Sequence, residues 1–261
     1  MRVATFNILH GRNPADDPVD YQVDVDAFAS AIAGLDADVL ALQEVDLNQP
    51  RSHMADLTAV AAEAMGADEH RFVAAMSGSP GATWVAATGE EQPDAATYGV
   101  AVLSRHPVTA WTVVKLPVLK APTPFWFHGE RLPTLVRDEA RVALAARVAH
   151  PEGPVTVVGT HLSFVPWWNG RQLRYLVRSL APAERPLVLT GDLNMGQRRA
   201  VALSRMTPAA TWRTFPSGTP REQLDHILLD GALTATASSA PHLPLSDHRA
   251  LVADLALRDR P

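Results

Sequence analysis

The 261 residues carry a formal net charge of −5, 47% hydrophobic side chains and no cysteine. That hydrophobic share is ample for a sizeable core, while the missing cysteines exclude disulfides, thiol nucleophiles and thiolate metal sites and leave any metal to oxygen and imidazole ligands. Lysine occurs only at Lys115 and Lys120, and the longest basic run is Arg198-Arg199, which disfavours extended nucleic acid as a substrate without removing it.

No apolar run approaches the roughly 20 residues that span a bilayer, and no charged leader precedes an apolar core, so the expected compartment is the cytoplasm. Residues 2–9 read as a buried strand ended by His10-Gly11 and Asn13-Pro14. Asn7 is polar inside that strand, either a satisfied core amide or a site residue at a strand end. Val25, Phe28, Ala29, Ile32 and Leu35 recur at helical spacing behind Asp24, a natural N-cap. Residues 38–46 form a second strand that turns acidic at Glu44, a residue read as solvated or coordinating.

Met54, Leu57, Val60, Ala61 and Ala64 mark a second helix, followed by a strand from His70 to Met76. Residues 77–97 read as a long loop on the scaffold, of the kind that often carries specificity. Tyr98 to Ser104 is a strand, with Thr109 to Leu116 as its expected hairpin partner. Residues 117–139 are irregular and hold Phe125-Trp126-Phe127-His128, either a substrate wall or a loop anchor. Arg141 to Ala149 and Val155 to Gly159 form the next hairpin, running into Thr160-His161-Leu162.

Residues 165–170, with Trp167 and Trp168, read as a third loop, and Leu173, Leu176, Val177 and Leu180 as a helix. Leu187 to Thr190 is a strand that breaks at Gly191-Asp192-Leu193-Asn194. In an extended backbone Asp192 and Asn194 point to the same side, although Gly-Asp-x-Asn is also ordinary turn chemistry. A helix over Arg198 to Arg205, a strand over Thr211 to Phe215, a strand opening at Asp225 and a final strand over Ala250 to Leu255, entered through Ser246-Asp247-His248, complete the chain. With no internal repeat or linker, residues 1–261 read as one domain. Ten or more strands, about four helices and hairpin connections favour two stacked sheets flanked by helices over a doubly wound parallel sheet.

Taken singly, each polar strand-end residue has an ordinary structural explanation. Asn7, Glu44, His161, Asp192, Asn194, Asp225, Asp247 and His248 nevertheless all fall at apolar strand boundaries. Their types suit phosphoester hydrolysis: carboxylates hold a hard divalent cation, a carboxylate or amide positions water, and imidazoles supply charge or protons.

In order, Phe6-Asn7-Ile8-Leu9, Leu42-Gln43-Glu44-Val45, Leu103-Ser104-Arg105-His106-Pro107, Thr160-His161-Leu162, Gly191-Asp192-Leu193-Asn194, Leu224-Asp225-His226-Ile227 and Ser246-Asp247-His248 resemble the motifs of the endonuclease/exonuclease/phosphatase superfamily. That superfamily includes deoxyribonuclease I, exonuclease III type nucleases, neutral sphingomyelinases and inositol polyphosphate 5-phosphatases. The resemblance runs from Arg2 to about Leu255. It implies a four-layered α/β/β/α sandwich with the site at one edge of the paired sheets.

It also implies Glu44 as principal Mg²⁺ or Mn²⁺ ligand with Asn7 beside it, and Asp247 as a further metal or orienting group. Asp192 is expected to orient or deprotonate water with help from Asn194, Asp225 to fix His248 facing the phosphate, and His161 to hydrogen-bond a phosphoryl oxygen. Three departures stand out: Leu9 replaces an acidic residue of the abasic-site nucleases, His161 replaces their tyrosine, and Gly99-Val100 replaces a Gly-Asn pair. Arg141 is a candidate phosphate ligand or a snorkelling edge residue. The expected activity is metal-dependent phosphoester hydrolysis by direct attack of water, on a small or lipid-head-group substrate that the aromatics near residues 125–127 and 167–168 could receive. A nuclease and a catalytically inactive binding protein of the same fold are the alternatives.

Overall fold

Runs of valine, leucine and alanine that are apolar on both faces make the central strands of the protein. The computed structural model describes residues 1–17, 21–125 and 132–257. In chain order the first strands are β1 (Arg2–Asn7), β2 (Val39–Leu47), β3 (Glu69–Gly78), β4 (Trp84–Ala86), β5 (Thr97–Ser104), β6 (Val108–Lys115), β7 (Thr123–Phe125) and β8 (Thr134–Val136). They are followed by β9 (Val142–Val148), β10 (Val155–His161), β11 (Leu187–Asp192), β12 (Thr207–Pro208), β13 (Asp225–Asp230), β14 (Leu233–Ser239) and β15 (Leu251–Leu257). The α-helices are α1 (Val25–Ala33), α2 (Leu57–Met65), α3 (Pro166–Ser179) and α4 (Gln197–Ser204).

One sheet runs β14-β15-β1-β2-β5-β3-β4 and the other β12-β13-β11-β10-β9-β6, with β7 and β8 as a separate ribbon. Val3, Val39, Val102, Leu144, Val157, Val188, Ile227 and Leu251 interlock between the sheets. Phe28, Ile32, Leu57 and Ala61 from α1 and α2 cover Phe6, Leu40 and Leu42 on the outside of the first sheet. Leu173, Leu176 and Ala200 from α3 and α4 cover Val158, Leu189 and Leu228 on the outside of the second. These four layers are the sandwich expected from the sequence, and burial of both faces explains why the central strands lack apolar/polar alternation.

Local chemistry sets the helix ends. Asp24 accepts the Ala27 N–H at 2.9 Å, and Asp56 accepts those of Thr58 and Ala59 at 2.9 and 3.0 Å, so both outer helices of the first sheet carry side-chain N-caps. Pro166 opens α3 at a position where its missing N–H costs no hydrogen bond.

Several expectations are corrected. β6 pairs with β9 in the opposite sheet rather than with β5, whose two edges are already taken by β2 and β3. Residues 166–170 are the first turn of α3, not a loop, because packing outweighs the weak helix propensity of Asn169 and Gly170. Thr211 to Phe215 form no strand; one bridge joins Phe215 to Glu222. The sequence reading missed β14, an edge strand of small polar residues, and β4 inside the 77–97 loop. β1 stops at Asn7, two residues early, and turns into a short 3₁₀ segment at Leu9–Gly11. Met54 is exposed and precedes α2. Trp126, Phe127 and His128 lie outside the described residues, while Phe125 packs edge-on against Phe164.

Two parallel pairs aim strand ends at one edge. β1 and β2 run parallel with Asn7 opposite Gln43, and β10 and β11 run parallel with His161 opposite Asp192, itself opposite Asp225 of β13. On β2 the register with β5 slips between Gln43 and Val45, and the extra residue, Glu44, has φ 59°. Such a bulge turns a side chain out of the strand's alternation. Gly99 faces Val45 across this slip, and a Cβ there would come within 2.0 Å of the Val73 carbonyl oxygen. Gly99→Ala is therefore expected to lower unfolding free energy by at least about 2 kcal/mol in urea titrations; an unchanged midpoint would show that β3 yields without cost.

Candidate active site

The turn after β11 needs its glycine. Gly191 has φ 141°, and a Cβ there would lie 1.9 Å from the Thr160 carbonyl oxygen of neighbouring β10. Oδ1 of the buried Asp192 accepts the Asn194 N–H at 2.9 Å, and Asn194 has φ 50°, which is Asx-turn geometry. Only Oδ1 is used this way. Oδ2 is left for the groups gathered from other strands, so one carboxylate both closes the turn and faces the cluster.

Asn7 joins the sheets at this edge. Its Nδ2 donates to Glu44 Oε1 at 3.0 Å and to Asp192 Oδ2 at 3.1 Å, while its Oδ1 accepts the Leu9 N–H at 3.1 Å. The Asn7 carbonyl accepts from Ser246 Oγ at 2.6 Å, and that hydroxyl accepts the His248 N–H at 3.0 Å. The strand end therefore fixes the loop that carries Asp247 and His248.

His248 Nδ1 meets Asp225 Oδ2 at 2.8 Å, which places the proton on Nδ1 and leaves Nε2 3.8 Å from Asp192 Oδ2. His161 Nε2 lies 3.4 Å from Asp192 Oδ2 and 3.2 Å from Asn194 Nδ2, and Asn194 Nδ2 also donates to the Leu162 carbonyl at 2.9 Å. Five of the residues expected from sequence, Asn7, Asn194, Asp225, His161 and His248, thus surround Asp192 directly, with Glu44 reached through Asn7.

The electrostatics follow from burial and pairing. Burial opposes the His248 imidazolium, but Asp225 and Asp192 outweigh it and raise this group to about 10. Burial, reinforced by Arg141 and His248, holds His161 well below the ordinary histidine range and therefore neutral. Burial also raises Asp192, against the pull of His248. Glu44 is raised by burial too, with the Asn7 hydrogen bond and His248 opposing. This partly exposed carboxylate, open to the pocket, is short of positive charge. Glu44, Asp192 and Asp247 are an oxygen-rich donor set that fits a hard divalent cation, with the Asn7 Nδ2 orienting the first two, and Asp192, Asp225 and His248 each present a ligand atom within 4.8 Å of the others.

A pocket of about 380 Å³ opens above the cluster. Asn7, Glu44, His161, Asp192, Asn194, Asp247 and His248 line it, and Trp84, Tyr98, Phe164, Arg51, Arg137 and Arg141 form part of its walls. Arg141 is buried, pairs with Glu139 at 3.3 Å, and has an Nε without a hydrogen-bond partner. Trp84 Nε1 donates to Glu139 Oε1 at 3.0 Å, tying the 77–97 loop to the segment before β9. Trp167 and Trp168 do not line this pocket: Trp167 is exposed on α3, and the buried Trp168 donates to the Pro117 carbonyl at 3.2 Å.

Two residues escaped the sequence reading. His10 has Nδ1 3.5 Å from Glu44 Oε2 and its ring near Tyr21 and Tyr98; its place three residues after Asn7 was a signal, but it read only as a strand stop. The fully buried Asn169 donates to the Asn194 carbonyl at 2.7 Å, and no local pattern marks it.

The His248–Asp225 pair has a pH signature. With the folded pKa raised, its stabilisation is complete below the unfolded histidine value of about 6.5 and is lost as pH rises through about 10. Melting temperature should fall across that window, and Asp225→Asn should remove much of the fall; parallel wild-type and variant profiles would exclude the charged pair.

A search of curated proteins finds no match. Among solved structures, an endonuclease/exonuclease/phosphatase from Beutenbergia cavernae DSM 12333 is similar at 25% identity and TM-score 0.72, over 98% of this chain and 71% of that one. A mannosyl-6-phosphatase from Bacteroides thetaiotaomicron VPI-5482 shares the fold at 14% identity and TM-score 0.67, over 98% and 100% of the two chains. Sphingomyelinase C from Streptomyces griseocarneus does so at 20% identity and TM-score 0.58, over 97% and 98%. Among the described residues no helix is long and apolar enough to cross a membrane. Residues 4–248 match the model of the Endonuclease/Exonuclease/phosphatase family, and with Asn7, Glu44, His161, Asp192, Asn194, Asp247 and His248 lining one pocket the chain belongs to that family, whose members hydrolyse phosphoesters.

Proposed function

We propose that this protein is a divalent-metal-dependent phosphoesterase acting on a small phosphoester rather than on a nucleic acid. The observation that carries the reading is the pocket of about 380 Å³, with carboxylates and imidazoles at its floor and Trp84, Tyr98 and Phe164 in its walls. This volume suits a small organic phosphate. The aromatic faces can receive an apolar or ring-bearing leaving group.

In this reading Glu44 and Asp247 would hold Mg²⁺ or Mn²⁺, with Asn7 orienting the Glu44 carboxylate through Nδ2, and the ion would neutralise phosphoryl charge. Asp192, raised by burial, orients the attacking water and accepts its proton, and Asn194 holds the turn that aims Asp192. Asp225 fixes His248 through the 2.8 Å contact at Nδ1. The Nε2–H of His248 then donates to a phosphoryl oxygen as negative charge grows in the pentacovalent transition state. Arg141 supplies a further fixed positive charge. Neutral His161 with its proton on Nε2 donates either to the phosphoryl oxygen or to Asp192; in the other tautomer Nε2 accepts from Asn194 Nδ2.

Hydrolysis of aryl phosphomonoesters and phosphodiesters in Mg²⁺ or Mn²⁺ tests the reading, and chelation should abolish it. Asp192→Ala and His248→Ala are each expected to lower kcat by about 10²-fold or more. No turnover of any small phosphoester would overturn the proposal. Salt-sensitive plasmid nicking in its place would assign the site to nucleic acid.

A further inference from the structure

A second group of metal-type ligands lies at the other end of β2 from Glu44. Asp38 stands six residues before Glu44, a distance of about 20 Å along an extended strand. His106 follows β5, and His150 follows β9. The sheets themselves bring the three together. Arg105 N–H donates to the Asp38 carbonyl at 2.9 Å, and Ala149 N–H to the Pro107 carbonyl at 2.8 Å. Ser104 Oγ accepts the His106 N–H at 3.1 Å and donates to the His106 carbonyl at 2.8 Å, fixing the turn that carries this imidazole.

One ligand atom from each of Asp38, His106 and His150 lies within 4.8 Å of the others. Asp38 Oδ1 is 3.8 Å from His106 Nε2, beyond hydrogen-bond reach. The imidazoles of His106 and His150 meet edge-on with centroids 4.8 Å apart. His106 Nε2 is shielded from water and has no hydrogen-bond partner. The second oxygen of Asp38 accepts the Arg2 N–H at 2.6 Å, which orients the carboxylate. Ligand atoms about 2.0–2.2 Å from a shared ion stand roughly 3–3.5 Å apart, so the 3.8 Å contact needs to close by less than about 1 Å. The Glu152 N–H contact to His150 Nδ1, at 3.2 Å, is surrendered whichever ring nitrogen takes the metal.

We propose that Asp38, His106 and His150 form a binding site for a late first-row divalent cation, Zn²⁺ being the representative, separate from the oxygen-rich site around Asp192. Two imidazoles and one carboxylate select such an ion over Mg²⁺, which favours an all-oxygen shell. The site ties the end of β5 and the start of β2 in one sheet to the end of β9 in the other, so its cation acts as a cross-sheet fastener.

Zn²⁺ titration of the full chain by calorimetry tests this. His106→Gln/His150→Gln should bind one equivalent fewer than wild type, and Asp192→Ala should retain that equivalent. Zn²⁺ should raise the melting temperature of wild type and Asp192→Ala through this site, and this part of the shift should vanish in the double variant. Equal stoichiometry in wild type and a folded double variant would overturn the proposal, as would an equivalent lost only from Asp192→Ala. If the double variant does not fold, His150→Gln alone should weaken the same site at least about tenfold; unchanged affinity with native circular dichroism would equally overturn it.

Discussion

The Asn7 carboxamide is the joint on which the site depends. One amide nitrogen donates to Glu44 in its own sheet and to Asp192 in the other. Most of the packing between the two sheets is apolar, non-directional, and sets spacing better than it sets angle. A hydrogen bond is directional. By giving its two hydrogens to carboxylates of different layers, Asn7 turns a close approach of two sheets into a defined geometry at one edge. The Asn7 carbonyl extends this order through Ser246 to the backbone of His248.

Around that joint the protein keeps Glu44, Asp192, Asp225, His161 and His248 largely away from water. Isolated buried charges are costly and are tolerated when paired or hydrogen-bonded. Here the compensation is graded. Asp225 and His248 form a close pair at 2.8 Å, His161 gives up its charge, and Glu44 has one amide donor with His10 at a longer 3.5 Å. The least compensated carboxylate is the one on the bulge of β2, open to the pocket. Neighbouring groups of like chemistry are thereby held in different protonation states, which is the division of roles that acid–base chemistry at phosphorus requires.

Much of this was legible in the sequence because it is written in short range. Apolar runs ending in Asn7, His161 and Asp192 announced both the strands and the edge at which they stop, the run ending at Glu44 fell at the bulge inside β2, and Asp24 marked the start of α1. Pairing between distant segments was not legible: β6 follows β5 in the chain yet joins the other sheet, because β5 has both edges filled by strands from elsewhere. α3 was hidden where asparagine and glycine stand at its start and only burial makes them helical. The pocket wall was misplaced for a similar reason. Trp168 looked like a substrate contact, but its indole faces the Pro117 carbonyl, whereas Trp84 and Tyr98 reach the pocket from segments with no distinguishing pattern.

The left-handed backbone at Glu44, φ 59°, sets folding and chemistry against each other at a single codon. A non-glycine side chain in that region costs on the order of 1–3 kcal/mol, a cost that glycine avoids and asparagine reduces. Folding alone therefore pulls position 44 toward glycine or asparagine, and a need for its carboxylate in the proposed metal site would pull it back. In a lineage released from that need, this position would be among the first to drift, and the drifted protein would be more stable than its working ancestor.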